Sequence, residues 1–501
     1  MITMKKTKVI LHKDYQISPV DPRVFGGFLE HMGRAVYEGV YDPQSAHADA
    51  DGFRTDVLEA MKPLGYTAMR YPGGNFASGY HWMDGIGPKA KRPTVRDLAW
   101  QSLEPNQVGT DEFAKLSRQM GWTPMMTVNL GTGTPEEARN WVEYCNAPTG
   151  TLYANLRAEN GSPEPYDLKL WCLGNEMDGP WQLGHVPADQ YAIRAQQAAK
   201  LMKDVDPTLE LVACGSCAPD LPTYMDWDRT VLEYVGSYAE YISLHRYVGN
   251  WKGDTADFLA VTNSIDQQIE EMDAVCRFVQ ARNRSKKRHY LCFDEWNIWY
   301  RARKAEHMNG RGTFAPHLIE EEYNLEDALV VAGFFNSFIR HADVLKIANI
   351  AQIVNVIAPM LTRGDDLLLQ TIYYPFVIYS QRRAGISLQP VVEGPGYESP
   401  SYGYVNEIDT SAILGDGVLH VFLVNRNLKE SALVEVQHPG GQLTGVTSAE
   451  IISGTHPDER NTFEQPNRVT SQPFQAVSVR DGAAQLEIPP LSVVAVSFTC
   501  A

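Results

Sequence analysis

Eight strand-like segments, separated by helical patterns, constrain the fold of this chain more than any other feature of its sequence. They are short runs of apolar, β-branched and aromatic residues at 24–30, 67–71, 124–130, 168–176, 210–215, 241–247, 289–296 and 344–354. Strands that alternate with helices form parallel sheets. Because eight is the number of strands that closes a (β/α)8 TIM barrel, we predict that fold for the main part of the chain.

Local signals mark several of the helices between these strands. Thr134-Pro-Glu-Glu137 is a capping box with proline at the first helical position, and Asn324 begins a second helix that includes the apolar run 328–339. Apolar residues at helical spacing predict two further helices, over 188–205 and 257–282.

The sequence pattern changes at about Gly385. Short alternating runs follow, and clusters such as Glu393-Gly-Pro-Gly and His438-Pro-Gly-Gly separate them. This pattern is typical of an antiparallel β-sandwich. We therefore expect three parts: a strand within 1–20 that pairs with the sandwich, the barrel over 21–384, and the β-sandwich domain over 385–501.

Charge and composition limit the classes of partner. The chain has 501 residues, a net charge of -17 and a pI of about 5.2, which disfavours nucleic acid and anionic membranes and suits a neutral substrate such as a sugar. No run approaches the roughly 18 apolar residues of a membrane span. Lys8, His12 and Lys13 interrupt the apolar stretch that a secretion signal needs. We expect a cytoplasmic protein.

The cysteines do not indicate a disulfide framework. Their number, seven, is odd, and they are spread thinly along the chain. Cys214 and Cys217 have the spacing of a redox or half-zinc motif, but no second cysteine or histidine pair lies at ligand spacing. We favour a structural role for them at the end of a strand and predict no metal site.

Polar residues end most of the predicted strands, and in a (β/α)8 barrel these ends carry the chemistry. Two of them, Glu176 and Glu295, each end an apolar run, where a carboxylate is costly to desolvate. Paired carboxylates of this kind hydrolyse glycosidic bonds. The other polar residues at strand ends are Glu30, His31, Arg70, Asn75, Asn175, His245, Arg246, Tyr247, Asp294, Gln352 and Asn355.

Four long segments, in order along the chain, resemble the α-L-arabinofuranosidases of glycoside hydrolase family 51. They are 70–80 (RYPGGNFASGY), 171–185 (WCLGNEMDGPWQLGH), 323–331 (YNLEDALVV) and 346–359 (KIANIAQIVNVIAP). The similarity covers essentially the whole chain, including the closing run 489–494. The resemblance implies a clan A (β/α)8 barrel with a β-sandwich, a retaining mechanism, and usually a hexameric cytoplasmic enzyme.

The resemblance also implies roles for individual residues. Glu176 matches the acid/base of the family and Glu295 its nucleophile. Asn175 fits the residue that binds the sugar's 2-hydroxyl, although a turn residue before a helix is an alternative. The residues that match the binders of the sugar's hydroxyls in the blind end of the pocket are Glu30, Asn75 and Gln352.

The chemistry of the two glutamates agrees with these roles. Glu176 must carry a proton at rest in order to give it to the leaving oxygen, and the negative charge of Glu295 favours that protonated form. Once the sugar esterifies Glu295, the repulsion disappears and Glu176 can act as a base.

The remaining candidates would support the nucleophile. We expect Arg70 beside Glu295, where a fixed cation favours the ionised carboxylate; a buried structural ion pair is an alternative and compatible role. Tyr247 is expected to donate to Glu295, and His245 to position that carboxylate or line the pocket, although a satisfied core histidine fits His245 equally well. Three tryptophans offer stacking faces for sugar, or lie in the core or rim: Trp181, Trp296 and Trp299.

We therefore expect an exo-acting, retaining α-L-arabinofuranosidase. It would release terminal arabinofuranose from short arabino- or arabinoxylo-oligosaccharides, without a metal or organic cofactor. One alternative keeps the barrel and both glutamates but hydrolyses β-xylosides or β-glucans. Another is a sugar-binding or storage protein on an inactive barrel, which is expected to lack one of the glutamates.

Overall fold

The computed structural model describes residues 5–501, so residues 1–4 of the predicted N-terminal part lie outside it. Eight strands close a barrel in sequence order, which confirms the predicted fold. Neighbouring strands are parallel throughout, and the last closes on the first through Asn349 and Gly26. Barrel strands 1 to 8 are Gly26–Phe28, Ala68–Tyr71, Thr123–Thr127, Leu170–Leu173, Glu210–Ala213, Tyr241–Val248, Tyr290–Ile298 and Leu345–Ala351.

Helices surround the barrel, and the two predicted N-cap side chains are confirmed, although the carboxylate of Glu137 bonds His81 and does not complete the predicted capping box. The side chain of Thr134 accepts from the N–H of Glu137, and that of Asn324 accepts from the N–H of Asp327. The helices are Thr55–Leu64, Thr110–Met120, Pro135–Asn146, Leu152–Glu159, Ala188–Val205, Asp226–Val235, Thr255–Leu259, Thr262–Arg282, Leu325–Arg340 and Tyr373–Ser380. None of the helices within 5–501 is both long and apolar enough to span a membrane.

The prediction of a single helix over 257–282 is wrong in one respect, since the chain forms two helices there. The amide groups of Ala260 and Val261 bond to carbonyls three residues back rather than four. This tighter turn ends the short helix Thr255–Leu259 before Thr262–Arg282 begins.

The C-terminal part consists of two packed sheets. Their inner faces share one apolar cluster, which includes Val434 and Leu486 from one sheet and Leu423 and Val494 from the other. In spatial order, the first sheet is Gln16–Pro19, Ile386–Leu388, Ile408–Gly415, Val418–Asn425, Ser492–Cys500, Leu443–Ser453 and Gln472–Pro473. The second is Val391–Glu393, Lys5–Ile10, Ala432–Gln437, Ala483–Ile488 and Val477–Arg480.

The N-terminal strand joins the second of these sheets. Lys5–Ile10 is antiparallel to Val391–Glu393 but parallel to Ala432–Gln437. The sheets are therefore antiparallel except for this one pair within 5–501. Three further strand pairs are small and separate: Val95–Arg96 with Leu103–Glu104, Met360–Arg363 with Asp366–Leu369, and Gly396–Ser399 with Gly403–Asn406.

The helix Leu325–Arg340 links the barrel to the sandwich. Residues 325–339 are buried around the whole helix circumference. Asn336 donates to Asp409 on a sandwich strand at 2.9 Å, and Arg340 bonds both Asp409 and Asp266. Because buried polar groups here are paired across the junction, the two parts pack in a defined way.

The inside of the barrel is filled by its own apolar cluster, which includes Met125, Leu170, Val212 and Ile347. Two cysteines, Cys172 and Cys292, belong to this cluster. All seven cysteines are free thiols, and Cys214 and Cys217 are buried. The packed interior leaves the carboxyl ends of the strands as the open face of the barrel.

Candidate active site

The structure brings the nine predicted site residues together at the carboxyl end of the barrel. Seven of them are at most 8% exposed: Glu30, Arg70, Asn175, Glu176, His245, Glu295 and Gln352. The other two, Asn75 and Tyr247, are half-buried. They come from barrel strands 1, 2, 4, 6, 7 and 8, or directly follow those strands.

Glu295 is held by two donors. Nη1 of Arg70 donates to its Oε1 at 2.5 Å, and the hydroxyl of Tyr247 donates to its Oε2 at 2.8 Å. Arg70 also donates through Nη2 to Oδ1 of Asn175 at 2.6 Å. Arg70 and Tyr247 therefore contact Glu295 as the sequence predicts.

Burial and charge act in opposite directions on Glu295. Burial raises its pKa and the charge of Glu176 adds to that, while His245 and Arg70 lower it, so that the pKa lies above its ordinary value of 4.5. The two cations thus offset much of the cost of burying a carboxylate here.

Glu176 follows barrel strand 4 with its backbone in the left-handed region, at φ 45°. A non-glycine residue in this conformation is strained, and such strain is concentrated at functional sites. Its Oε1 lies 2.9 Å from Nδ1 of His245, and its Oε2 accepts from the indole N–H of Trp181 at 2.7 Å. One carboxylate oxygen of Glu176 lies within 4.8 Å of one oxygen of Glu295.

His245 lies between three carboxylates. Its Nε2 is 3.1 Å from Asp294, and its Nδ1 is 2.9 Å from Glu176 but 3.6 Å from Glu295. Of the two catalytic candidates, Glu176 therefore lies nearer to His245 than Glu295, which was the expected partner. Burial alone would lower the pKa of His245, but the charges of Glu295 and Asp294 outweigh it and raise that pKa well above its ordinary value.

Glu30 and Gln352 bond to each other within the site. The side chain of Gln352 accepts from the backbone N–H of Glu30 at 2.7 Å and donates to its carboxylate at 3.2 Å. Burial, and then the charge of Glu295, raise the pKa of Glu30 to about 8. Elsewhere in the site, Asn175 donates to Asn75 at 3.2 Å.

Two donors to Glu30 were missed by the sequence analysis. They are the indole N–H of Trp100, at 2.9 Å, and the backbone N–H of Phe76, at 3.0 Å. Trp100 lies in the long connection between barrel strands 2 and 3, away from any strand end. No pattern in the sequence links this tryptophan to strand 1.

Gly74 brings backbone close to the carboxylates. A Cβ at this position would lie 2.8 Å from Oε2 of Glu30 and 3.0 Å from Oε1 of Glu295. Any side chain there would require one of the two carboxylates to shift, so this glycine leaves space between them.

The three candidate tryptophans lie in different environments. Trp296 is fully buried and packs against Phe334, Phe335 and Phe338, so it presents no face to a sugar. Trp299 is half-buried, with its ring edge-on to Tyr247 at 5.4 Å. Trp181 is 53% exposed beside Glu176.

Glu176, His245 and Glu295 also offer ligand-type atoms, all within 4.8 Å of one another. However, both ring nitrogens of His245 face carboxylate oxygens, and its raised pKa favours the doubly protonated ring. A ring in that state has no lone pair for a metal ion. The absence of a metal stays a prediction.

Comparisons with known proteins agree with one another. Residues 60–260 match the model of the "Alpha-L-arabinofuranosidase 1 domain", and residues 294–492 match that of the "Alpha-L-arabinofuranosidase C-terminal domain". The chain is 47% identical over 438 residues to an intracellular exo-α-(1→5)-L-arabinofuranosidase of Acetivibrio thermocellus, a match that covers 86% of this chain and 87% of the relative.

Solved structures show the same likeness. A family 51 α-L-arabinofuranosidase of Bifidobacterium longum superposes with a TM-score of 0.95 at 36% identity and covers 99% of this chain and 100% of its own. An arabinose complex of the Thermotoga maritima α-L-arabinofuranosidase has a TM-score of 0.88 at 32% identity, with coverage of 98% and 99%.

A (β/α)8 barrel with two carboxylates facing each other at its mouth is typical of the class of glycoside hydrolases. With matching domain models and relatives over nearly its full length, this chain belongs to the α-L-arabinofuranosidases of glycoside hydrolase family 51. It is an exo-α-L-arabinofuranosidase, as expected from the resemblance of its motifs.

Proposed function

We propose that this enzyme releases terminal arabinofuranose by double displacement, with Glu295 as the nucleophile and Glu176 as the acid/base. The separation of the two carboxylates carries the proposal. Oxygens of Glu176 and Glu295 approach within 4.8 Å. Retaining glycosidases place their carboxyl groups about 5–5.5 Å apart, whereas inverting enzymes leave about 6.5–9.5 Å for a water molecule.

In the first step, Glu295 attacks the anomeric carbon while Glu176 protonates the leaving oxygen. Arg70 and Tyr247 hold the two oxygens of Glu295, which fixes the direction of attack. Asn175, oriented by Arg70, would bind the 2-hydroxyl, where a hydrogen bond strengthens as the oxocarbenium ion develops.

In the second step, water hydrolyses the ester and Glu176 acts as the base. The charge of Glu295 is absent in the ester, so the environment of Glu176 changes between the two steps. This change lets one residue serve both as acid and as base.

The surroundings of Glu30, which we place at the closed end of the sugar site, support exo action. Glu30 is enclosed by Gln352, Trp100 and the backbone of Phe76, and all of these groups bond to its carboxylate. A site closed behind the sugar accepts a chain end rather than an internal unit. Asn75, beside Asn175, would bind a further hydroxyl.

We propose arabino- and arabinoxylo-oligosaccharides as substrates, with α-(1→5)-linked arabinofuranose as one linkage. The Acetivibrio thermocellus relative is named for α-(1→5) linkages, and the Thermotoga maritima structure is an arabinose complex. The name of the former relative also includes "intracellular", which supports a cytoplasmic site of action. A homohexamer and the three-part division at residues 20 and 384 remain proposals from the resemblance and the sequence pattern.

A panel of aryl glycosides tests the substrate class. The 4-nitrophenyl α-L-arabinofuranoside is expected to be cleaved with a higher kcat/KM than the β-D-xyloside and the β-D-glucoside. Some cleavage of the xyloside is compatible with the proposal, since the two sugars present similar hydroxyls. A higher kcat/KM for the β-xyloside would favour the alternative.

Two substitutions test the roles of the glutamates. Glu295→Ala is expected to reduce turnover of every substrate by several orders of magnitude, because it removes the nucleophile. Glu176→Ala should spare the first step on aryl substrates with good leaving groups but nearly abolish it on oligosaccharides. An equal loss of activity on both kinds of substrate would refute the role of Glu176 as the acid. Glu143→Ala, which changes a buried glutamate on the helix Pro135–Asn146, serves as the control.

A further inference from the structure

Asp294 is a buried carboxylate of this site that has no role in the reaction described above. It precedes Glu295 on barrel strand 7 and is 1% exposed. Its Oδ2 lies 3.3 Å from Nε of Arg70, and its Oδ1 lies 3.1 Å from Nε2 of His245. It therefore faces both cations of the site, each of which contacts one of the two catalytic glutamates.

The contact with Asp294 indicates which ring nitrogen of His245 carries a hydrogen. Burial opposes its ionisation, but the charges of Arg70 and His245 outweigh burial and hold the pKa of Asp294 below its ordinary value. An ionised carboxylate only accepts hydrogen bonds, so Nε2 of His245 must carry a hydrogen. The other nitrogen, Nδ1, then shares at most one proton with Oε1 of Glu176 across 2.9 Å.

We propose that Asp294 and His245 are positioning residues for the acid/base: Asp294 fixes the imidazole ring, and the ring holds the catalytic proton together with Glu176. This inference rests on the proposed function. One proton leaves the His245–Glu176 pair for the glycosidic oxygen as the bond to the anomeric carbon breaks. The pair regains one proton from the attacking water in the second step.

Asp294 differs from Glu295, its neighbour on strand 7, because its negative charge is present throughout the cycle. Glu295 loses its charge when it forms the ester, whereas Asp294 takes no part in bond formation. The charged and titratable groups near the pair are Glu295 and Asp294 on strand 7, Tyr247 on strand 6, and Asp178, Cys214, Cys217 and Arg303 outside the barrel strands. Arg70 on strand 2 pairs with both carboxylates of strand 7. Besides Glu176 itself, two anions raise the proton affinity of His245, and of these two only Asp294 keeps its charge in the intermediate.

The test is the pH profile of Asp294→Asn on two substrates with different leaving groups. Losing a negative charge this close lowers the proton affinity of the pair, so the alkaline limb of kcat/KM for methyl α-L-arabinofuranoside should move down by about 1–3 pH units. The leaving oxygen of the 4-nitrophenyl substrate needs little protonation, because nitrophenolate is a good leaving group. We therefore divide kcat/KM for the methyl arabinofuranoside by kcat/KM for the 4-nitrophenyl arabinofuranoside. At pH values above the alkaline limb, this ratio should be lower in the variant by about tenfold or more.

A second variant keeps the proposal testable if Asp294→Asn fails to fold. His245→Asn replaces the imidazole with an amide, which can donate a hydrogen bond but does not titrate, so this variant should lower the same ratio. Cys172→Ala is the matched control, since Sγ of Cys172 lies 3.9 Å from Oδ2 of Asp294 and its removal changes no charge at neutral pH. This variant should keep the alkaline limb of the native enzyme.

The outcomes separate the possible explanations. The proposal would be overturned if the alkaline limb stayed in place and activity fell equally on both substrates. That result would show that the substitution disturbs Arg70 and the nucleophile, or the packing, since such a disturbance reduces both rates together. Glu176→Ala is measured alongside the other variants. If that variant itself fails to distinguish the two substrates, the assignment of Glu176 is wrong and both the proposed function and this inference fall.

Discussion

Removing the hydroxyl of Tyr247 isolates one contact of the proposed nucleophile. Tyr247→Phe deletes the donor that lies 2.8 Å from Oε2 of Glu295 and keeps the ring that packs edge-on to Trp299. Burial and the charge of Glu295 raise the pKa of Tyr247 well above its ordinary value, so the hydroxyl is a donor at every working pH. The substitution therefore removes a hydrogen bond to a charged group and little else.

The expected loss follows from that contact. A hydrogen bond to a charged group contributes about 1.5–3 kcal/mol, which corresponds to a loss of about 10- to 150-fold in kcat/KM. Because attack by Glu295 is common to all substrates, the loss should be similar for aryl arabinofuranosides and for oligosaccharides. Steady-state kinetics on both substrate types, with the folded fraction measured by thermal unfolding, tests the prediction.

Tyr323→Phe is the matched control. Tyr323 is fully buried, whereas Tyr247 is half-buried, and the hydroxyl of Tyr323 donates at 2.8 Å to the carbonyl of Ile298, at the end of barrel strand 7. It should lose far less activity per folded molecule than Tyr247→Phe. A loss of less than about threefold for Tyr247→Phe, or equal losses for the two variants, would refute the reasoning.

Two other predictions concern Glu30 and Gly74. Since folding raises the pKa of Glu30 from 4.5 to about 8, the folded state loses stability as pH rises through this interval, by up to about 5 kcal/mol. Glu30→Gln has no proton to lose there, so its melting temperature relative to the native chain should rise between about pH 5.5 and pH 9; a constant difference contradicts the assignment. Gly74→Ala would crowd Glu30 and Glu295, which predicts a loss in kcat/KM of about 5- to 150-fold. Gly79→Ala, where a Cβ would meet a side-chain carbon of Leu183 at 3.2 Å, is the control, and equal losses would refute the steric argument.

The barrel and the residues at its mouth were predictable because each depends on local sequence. Eight apolar runs mark the strands, and a polar residue that ends such a run must lie at the rim of a parallel barrel. Glu176 and Glu295 are found there for this reason. The geometry of the barrel, rather than any pairwise signal, then brings strands 4 and 7 face to face.

Trp296 shows a signal that was present in the sequence but not used. Successive side chains on a strand point to opposite faces. Since Glu295 points toward the site, Trp296 must point outward, where it packs against phenylalanines of the helix Leu325–Arg340. Strand alternation alone therefore argues against a sugar-stacking role for this tryptophan.

Other features depend on how long loops fold. The acidic run 320–322 is typical of a solvated loop, yet Glu321 is fully buried. Its carboxylate accepts from the backbone N–H groups of Tyr300, Arg301 and Ala302. These donors lie about 20 residues away in the chain, as Trp100 lies 70 residues from Glu30. Composition and spacing do not encode contacts of this kind.

Trapping the covalent intermediate tests the central claim most directly. An activated 2-deoxy-2-fluoro-α-L-arabinofuranoside slows hydrolysis of the ester, so the labelled enzyme can be digested and its peptides analysed by mass spectrometry. We expect one added fluoro-sugar on Glu295, and no label on the Glu295→Gln variant. A label on Glu176 or on another residue, or release of β-arabinose as the first product without any label, would contradict double displacement through Glu295.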